Sequence, residues 1–271
     1  MRPFSGVEAA MASLRFLSEH IGELLKLVAP WAALTTAFVI AYAYFGQPAG
    51  PEATLGQTLQ YLAAKPAAKQ LVTILPDFLG DLVVSVGWTR FILLAEDPSF
   101  TKFAHTGAYF VATFKLSLAA IGAAIPGALL IVISIAGGSV ISAIFAVLGG
   151  IAIVLGAGFV YLRYSPVLSA SAVGENASMA DSFGLTAGKT WSLALGLFLT
   201  YVIAFVPFLI VSFIVGALLV IWRTGEFLMF FEFITQLWTL LTACVLSGFF
   251  AKTYQALAPG DIGDQTARVF D

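Results

Sequence analysis

The chain has 271 residues, of which 13 are Lys or Arg and 15 are Asp or Glu, while 60% are hydrophobic. Soluble proteins carry roughly 45–50% apolar and about 25% charged residues, and surface-to-volume scaling limits how much apolar surface a domain of this size hides from water. The composition therefore excludes a soluble enzyme, and a net charge of −2 excludes a basic field for nucleic acid; what it predicts is an all-α, polytopic integral membrane protein.

Within residues 5–26, Val7, Met11, Leu14, Leu17, Ile21 and Leu24 recur at helical spacing with charges opposite. This predicts an amphipathic helix lying on the bilayer, without the short apolar core and cleavage site of a secretory signal. Charge-free runs at 27–51, 116–162, 190–222 and 233–251 then mark the membrane spans. A span needs roughly 20 apolar residues, so the run of 47 holds two helices, with Gly137-Gly138-Ser139 as the turn between them. A further span is read at 74–95, where Asp77, Asp81 and Arg90 interrupt an apolar stretch. Pro76 suits its first turn, which would place Asp77 where the helix dipole favours an anion. The six spans are about 27–46, 74–95, 114–136, 140–162, 190–219 and 227–251, with Pro207 a kink in the fifth. The organisation is thus an interfacial helix over 1–26, a six-helix transmembrane domain over 27–251 and a polar tail over 252–271.

Orientation follows from the cations. Arg2, Arg15, Lys26, Arg90, Lys102, Lys115, Arg163, Lys189, Lys252 and Arg268 fall on the side of both termini; Lys65, Lys69 and Arg223 fall on the other. Ten against three predicts cytoplasmic termini and, for a bacterial protein, a multi-pass location in the inner membrane. The outer segment 47–73 is split by Pro48, Pro51 and Pro66, and Leu55, Leu59 and Leu62 suit an interfacial helix there.

Two inside connections have similar lengths. One runs from Arg90 to Lys115 and the other from Arg163 to Lys189. The second predicts a short helix from about Ser178 to Thr186 with Asn176 or Ser178 as N-cap. Arg90, Lys115, Arg163 and Lys189 are candidate lipid-headgroup contacts, since cations at such positions snorkel to phosphates; ordinary positive-inside flanks are the plainer explanation.

Three stretches carry a family likeness. They are the lead-in "FSGVEAAMASLRFLSEHIGELLKLVAP", the segment "GWTRFILLAEDP" at 87–98, and "AVGENASMADSFGLTAGKTWSLALGLFL" at 172–199. The chain resembles the membrane-domain family attached to some bacterial glycerophosphoryl diester phosphodiesterases, together with the related YciC-type membrane proteins. The matching positions in the third stretch are Gly174, Leu185, Thr186, Gly188 and Trp191. The resemblance implies a six-span membrane domain. It does not imply phosphodiester hydrolysis, which belongs to a separate barrel. Ala187 and Ser192 stand where the family's pattern has basic residues, which weakens a headgroup role carried over from it.

Catalytic groupings are sparse. Cys244 is the one cysteine, and His20 and His105 are the two histidines; none sits in a metal-ligand spacing. No enzyme activity, metal or cofactor is expected. Ser142, Ala146 and Gly150 recur every four residues, and Ala152 and Gly156 repeat the spacing, which predicts close helix packing within the chain or a homodimer seam. Asp77 and Asp81 share one face of the second span, and Glu232 lies in the sixth with Gln236 a turn deeper. Ionisable groups in hydrocarbon cost at least ~2.5 kcal/mol each, so these acids suggest an outward-facing cation or proton site. Two functions therefore stand side by side. One is a non-catalytic membrane protein that organises lipid or a membrane protein complex; the other is a small cation- or proton-linked transporter or channel.

Overall fold

The structure is a computed structural model and describes residues 4–45, 66–99, 103, 105–137, 140–221 and 225–258. It is built of helices: α1 (Gly6–Glu19), α2 (Ile21–Phe45), α3 (Pro66–Leu94), α4 (Thr106–Gly137), α5 (Val140–Ala172), α6 (Met179–Leu185), α7 (Thr190–Ile221) and α8 (Gly225–Leu257). Five of them, α2, α4, α5, α7 and α8, are long and apolar enough to cross a membrane, as befits a multi-pass membrane protein. The predicted interfacial helix around Leu55, the turn residues Gly138 and Ser139, and the tail from Pro259 lie outside the described residues.

Helix α3 departs from its expected form. It begins at Pro66, so Pro76 is interior to the helix. A proline tolerates the first turn because its missing N–H is unneeded there, and Pro66 takes that place. Pro76 instead removes a bond in the middle of the ladder. Asp77 is consequently not at a helix N-terminus, and the dipole account of its charge fails. With Asp77, Asp81 and Arg90 in its length, α3 stands apart from the five apolar helices.

The largest core joins α1, α2, α3, α5 and α8 around Trp88, Leu27, Val28, Ile92 and Cys244. Burying such side chains contributes about 1.5–3 kcal/mol each in water; in lipid the gain comes from tight packing of side chains and backbones. A second core fills the space between α3, α4 and α5 around Val86, Tyr109, Leu116 and Leu168. A third joins α1, α5, α7 and α8 around Ala10, Leu193 and Phe249.

Helix α1 is distinct from α2, the chain turning at His20, whose N–H and ring Nδ1 both meet the Phe16 carbonyl. Its buried face is made of Gly6, Ala9, Ala10, Ser13 and Phe16 and lies against α7 and α8. Gly6 and Gly196 touch backbone to backbone, and the Gly6 amide donates to Ser192 Oγ at 2.7 Å. The expected stripe divides: Leu24 is buried within α2, whereas Val7, Met11 and Ile21 point away from the protein. Small residues allow the backbone approach, so they face the bundle and the bulky ones face out.

The small-residue seam between α4 and α5 also differs from the expected one. A Cβ on Gly149 would lie 2.6 Å from the Gly127 carbonyl oxygen, and one on Gly156 2.7 Å from that of Ala123. Gly150 meets nothing within 4 Å. Gly149 and Gly156, seven residues apart, therefore carry the contact. Gly150, about 100° round the helix from Gly149, is turned off the seam, whereas Ser142, seven residues before Gly149, falls on its side of the helix.

Candidate functional site

Helices α4 and α5 extend the predicted spans of 114–136 and 140–162 on the side of Lys115 and Arg163. At 32 and 33 residues they are about 48–50 Å long, against roughly 30 Å of hydrocarbon. Their surplus turns, the described parts of the two connecting segments, α6 and the end of α8 pack into one polar cap. Residues 252–257, expected in the tail, are the last turns of α8.

Arg163 organises this cap. Pro166, interior to α5, lacks the N–H that would bond the Leu162 carbonyl, and Ser165 Oγ donates to that carbonyl instead at 3.2 Å. At the same bend the Arg163 carbonyl accepts from Ser182 Oγ at 3.0 Å and Thr186 Oγ1 at 3.1 Å. In return the Arg163 guanidinium donates to the Phe183 and Thr186 carbonyls and to Thr190 Oγ1, and its carbon lies 3.7 Å from the Phe183 ring centroid. A planar five-donor fork suits this set of acceptors and a ring face together. Arg163 is 6% exposed, so the expectation that it reaches lipid phosphate is corrected: its charge is spent on α6 carbonyls.

The recognisable Leu185-Thr186-Ala187-Gly188 stretch is thereby explained as architecture. Thr186 ends α6, its side chain bonded to both α5 and α6. Gly188 takes φ +72°, and its left-handed turn leads into α7. At the other end of α6, Ser178 is the N-cap of the two expected candidates, and it forms a reciprocal capping box with Asp181. The Ser178 hydroxyl, then its amide, hold the Asp181 carboxyl below its ordinary value of 3.8. Trp191 opens α7 with 87% of its surface exposed, the placement of an interfacial aromatic.

Arg90 is also turned inward. Its Nε donates to Glu96 at 3.0 Å, Nη2 donates to the same carboxylate, and Nη1 donates to the Ala172 carbonyl at 2.9 Å. It thus binds the 95–99 segment to the C-terminal end of α5, where a cation is favoured. The Tyr254 hydroxyl donates to Glu175 and ties the second segment to α8. Glu175, Ser182 and Tyr254 were not singled out from sequence, since their partners lie 19 or 79 residues away along the chain.

The other two candidate cations differ. Lys189 is half-buried, donates to the Leu185 carbonyl at 3.3 Å and lies 5.9 Å from the Phe4 ring centroid. Lys115 is exposed and makes no ion pair or hydrogen bond with any described residue. It lines a groove of about 540 Å³ shared with Val111, Val167, Ser171, Glu175, Asn176 and Met179. A second groove of about 730 Å³ lies across the 175–177 segment, between α6, Pro166 and Tyr254.

The intramembrane acids do not gather at one level. Gly80 packs on Leu240 and Trp88 on Gly248, so α3 and α8 keep a constant register. By that register Glu232 lies roughly 8 Å further along the axis than Asp77 and about 14 Å further than Asp81. Glu232 is buried and accepts from Gln236 Nε2 at 3.0 Å. One carboxylate oxygen of Asp81, Oδ1, is buried with no hydrogen-bond partner among the described residues. Among those residues no group of three His, Cys, Asp or Glu side chains is arranged to hold a metal. Comparison with protein-family models, curated proteins and solved structures finds no match.

Proposed function

We propose that the chain is a non-catalytic, six-span protein of a bacterial inner membrane, with cytoplasmic termini, that organises lipid or a membrane protein complex. The likeness to the phosphodiesterase-associated membrane domains belongs to this reading. The observation that carries it is the distribution of apolar surface. Along α7, every position with a described side chain from 201 to 214 is exposed or half-buried, right round the helix. Faces of α4 and α5 are exposed as well, through Leu118, Ile121, Leu129, Val147, Val154 and Leu155. A helix apolar on all sides is at home among lipid tails or other helices, while the charged and hydrogen-bonded groups concentrate in the cap.

Gentle extraction of the full chain followed by mass spectrometry of retained lipids and proteins tests the proposal. An enriched lipid class or a stoichiometric protein partner is the expected result; the absence of both overturns it. The transport reading draws on the unpartnered oxygen of Asp81. Proton or cation flux in proteoliposomes above background, lost in Asp81→Asn, would establish that reading in its place. Reporter fusions at either end place the termini, and an outward-facing end would sink the proposed topology.

A further inference from the structure

Among the four candidate cations, Arg90, Arg163 and Lys189 are engaged by protein groups, whereas Lys115 lines a groove. The groove it lines has apolar walls from Val111, Val167 and Met179 and polar groups from Ser171, Asn176 and Glu175. Its lining therefore includes a cation and an acid around about 540 Å³. Tyr254 donates to one oxygen of Glu175, which holds the carboxylate in place at the groove wall. Beyond Lys115, α4 presents Phe114, Leu118 and Ile121 as a continuous exposed apolar track.

We propose that this groove binds a zwitterionic phospholipid headgroup of the phosphate-plus-primary-amine type. The Lys115 ammonium meets the phosphate, the Glu175 carboxylate meets the amine, and the acyl chains follow the α4 track. The pairing is chemically selective. An anionic headgroup without an amine satisfies Lys115 through the same phosphate but sets neutral hydroxyls against Glu175, which leaves the carboxylate without a counter-charge. A headgroup-free diacylglycerol leaves both charges unmet. The proposal rests on the lipid-organising reading and specifies its ligand; a protein partner held by α7 would stand or fall separately.

Native mass spectrometry of the purified full chain, titrated with phosphatidylethanolamine, phosphatidylglycerol and diacylglycerol, tests it. Wild type is expected to retain phosphatidylethanolamine about tenfold better than either competitor, as loss of one charge-assisted contact predicts. Lys115→Gln is expected to lower binding of both phospholipids toward that of diacylglycerol. Glu175→Gln keeps an acceptor for Tyr254 and is expected to abolish the preference for the amine while retaining phosphatidylglycerol. Tyr254→Phe keeps the carboxylate and should preserve the preference, which separates a ligand contact from a merely structural one. Equal retention of all three lipids, or an unchanged Lys115→Gln profile, overturns the proposal. Equal binding of soluble glycerophosphoethanolamine also overturns it, since the acyl track would then contribute nothing. A protein partner that still co-purifies with Lys115→Gln would leave the broader reading intact while the groove proposal fails.

Discussion

Gly174 lies beneath the His105 imidazole, so closely that a Cβ there would sit 2.6 Å from the ring. The two inside segments, whose bracketing cations lie 73 and 74 residues apart along the chain, thus meet in space through a glycine and a histidine. Gly174 also holds φ +85°, a conformation that L side chains avoid. Gly174→Ala is therefore expected to destabilise the protein by about 1–3 kcal/mol, read as a lower melting temperature in detergent. Adding His105→Ala should recover the steric part and leave the backbone part.

Arg163 gives a second expectation. Removing its side chain takes one donor from each of the Phe183 and Thr186 carbonyls, which keep Thr186 Oγ1 and the Lys189 N–H, and each hydrogen bond lost to a charged donor costs about 1.5–3 kcal/mol. Arg163→Ala should lower stability and speed amide exchange across α6. Arg163→Lys keeps the charge but loses the fork and the ring contact, so it should fall between the two. A headgroup role would instead be rescued well by lysine.

The α4–α5 seam is tested by neighbouring glycines. Gly149→Ala pushes a methyl against the Gly127 carbonyl, and overpacking of this kind costs about 1–3 kcal/mol. Gly150→Ala meets open space and should leave stability unchanged or slightly raised. The reverse order in thermal unfolding would restore Gly150 to the seam.

Ala95 terminates α3 with φ +51° and an amide bonded to the Phe91 carbonyl. This is the left-handed helix end that glycine fills without strain. Ala95→Gly is expected to stabilise the protein by roughly 1 kcal/mol, measured by equilibrium unfolding.

Acid acts on α6 through Asp181. Its folded-state value is depressed, so its contribution is complete above the ordinary value of 3.8 and disappears as pH falls through the lower folded value. Hydrogen exchange of the 179–185 amides should therefore rise in that acidic window, and Asp181→Asn should remove the dependence. Unchanged exchange in wild type would refute the capping account.

Much of this molecule follows from composition and order. Long apolar runs demand helices because lipid offers no partners for backbone groups, and the structure has α2, α4, α5, α7 and α8 where those runs lie. The cap at Ser178 and the break after Thr186 were legible too, since their hydrogen bonds are local. Other features were decided only in three dimensions. A four-residue spacing does not say which glycine faces a neighbour, and helix register placed Gly149 at the seam and Gly150 outside it. An arginine beside an apolar span reads as a lipid contact until a folded segment brings carbonyls to it, as α6 does for Arg163. Charge and apolar pattern thus set which segments enter the membrane, because those are properties of single segments. The tertiary structure decided which charges are used up inside the protein and left Lys115 facing a groove, because that depends on partners far apart in the chain.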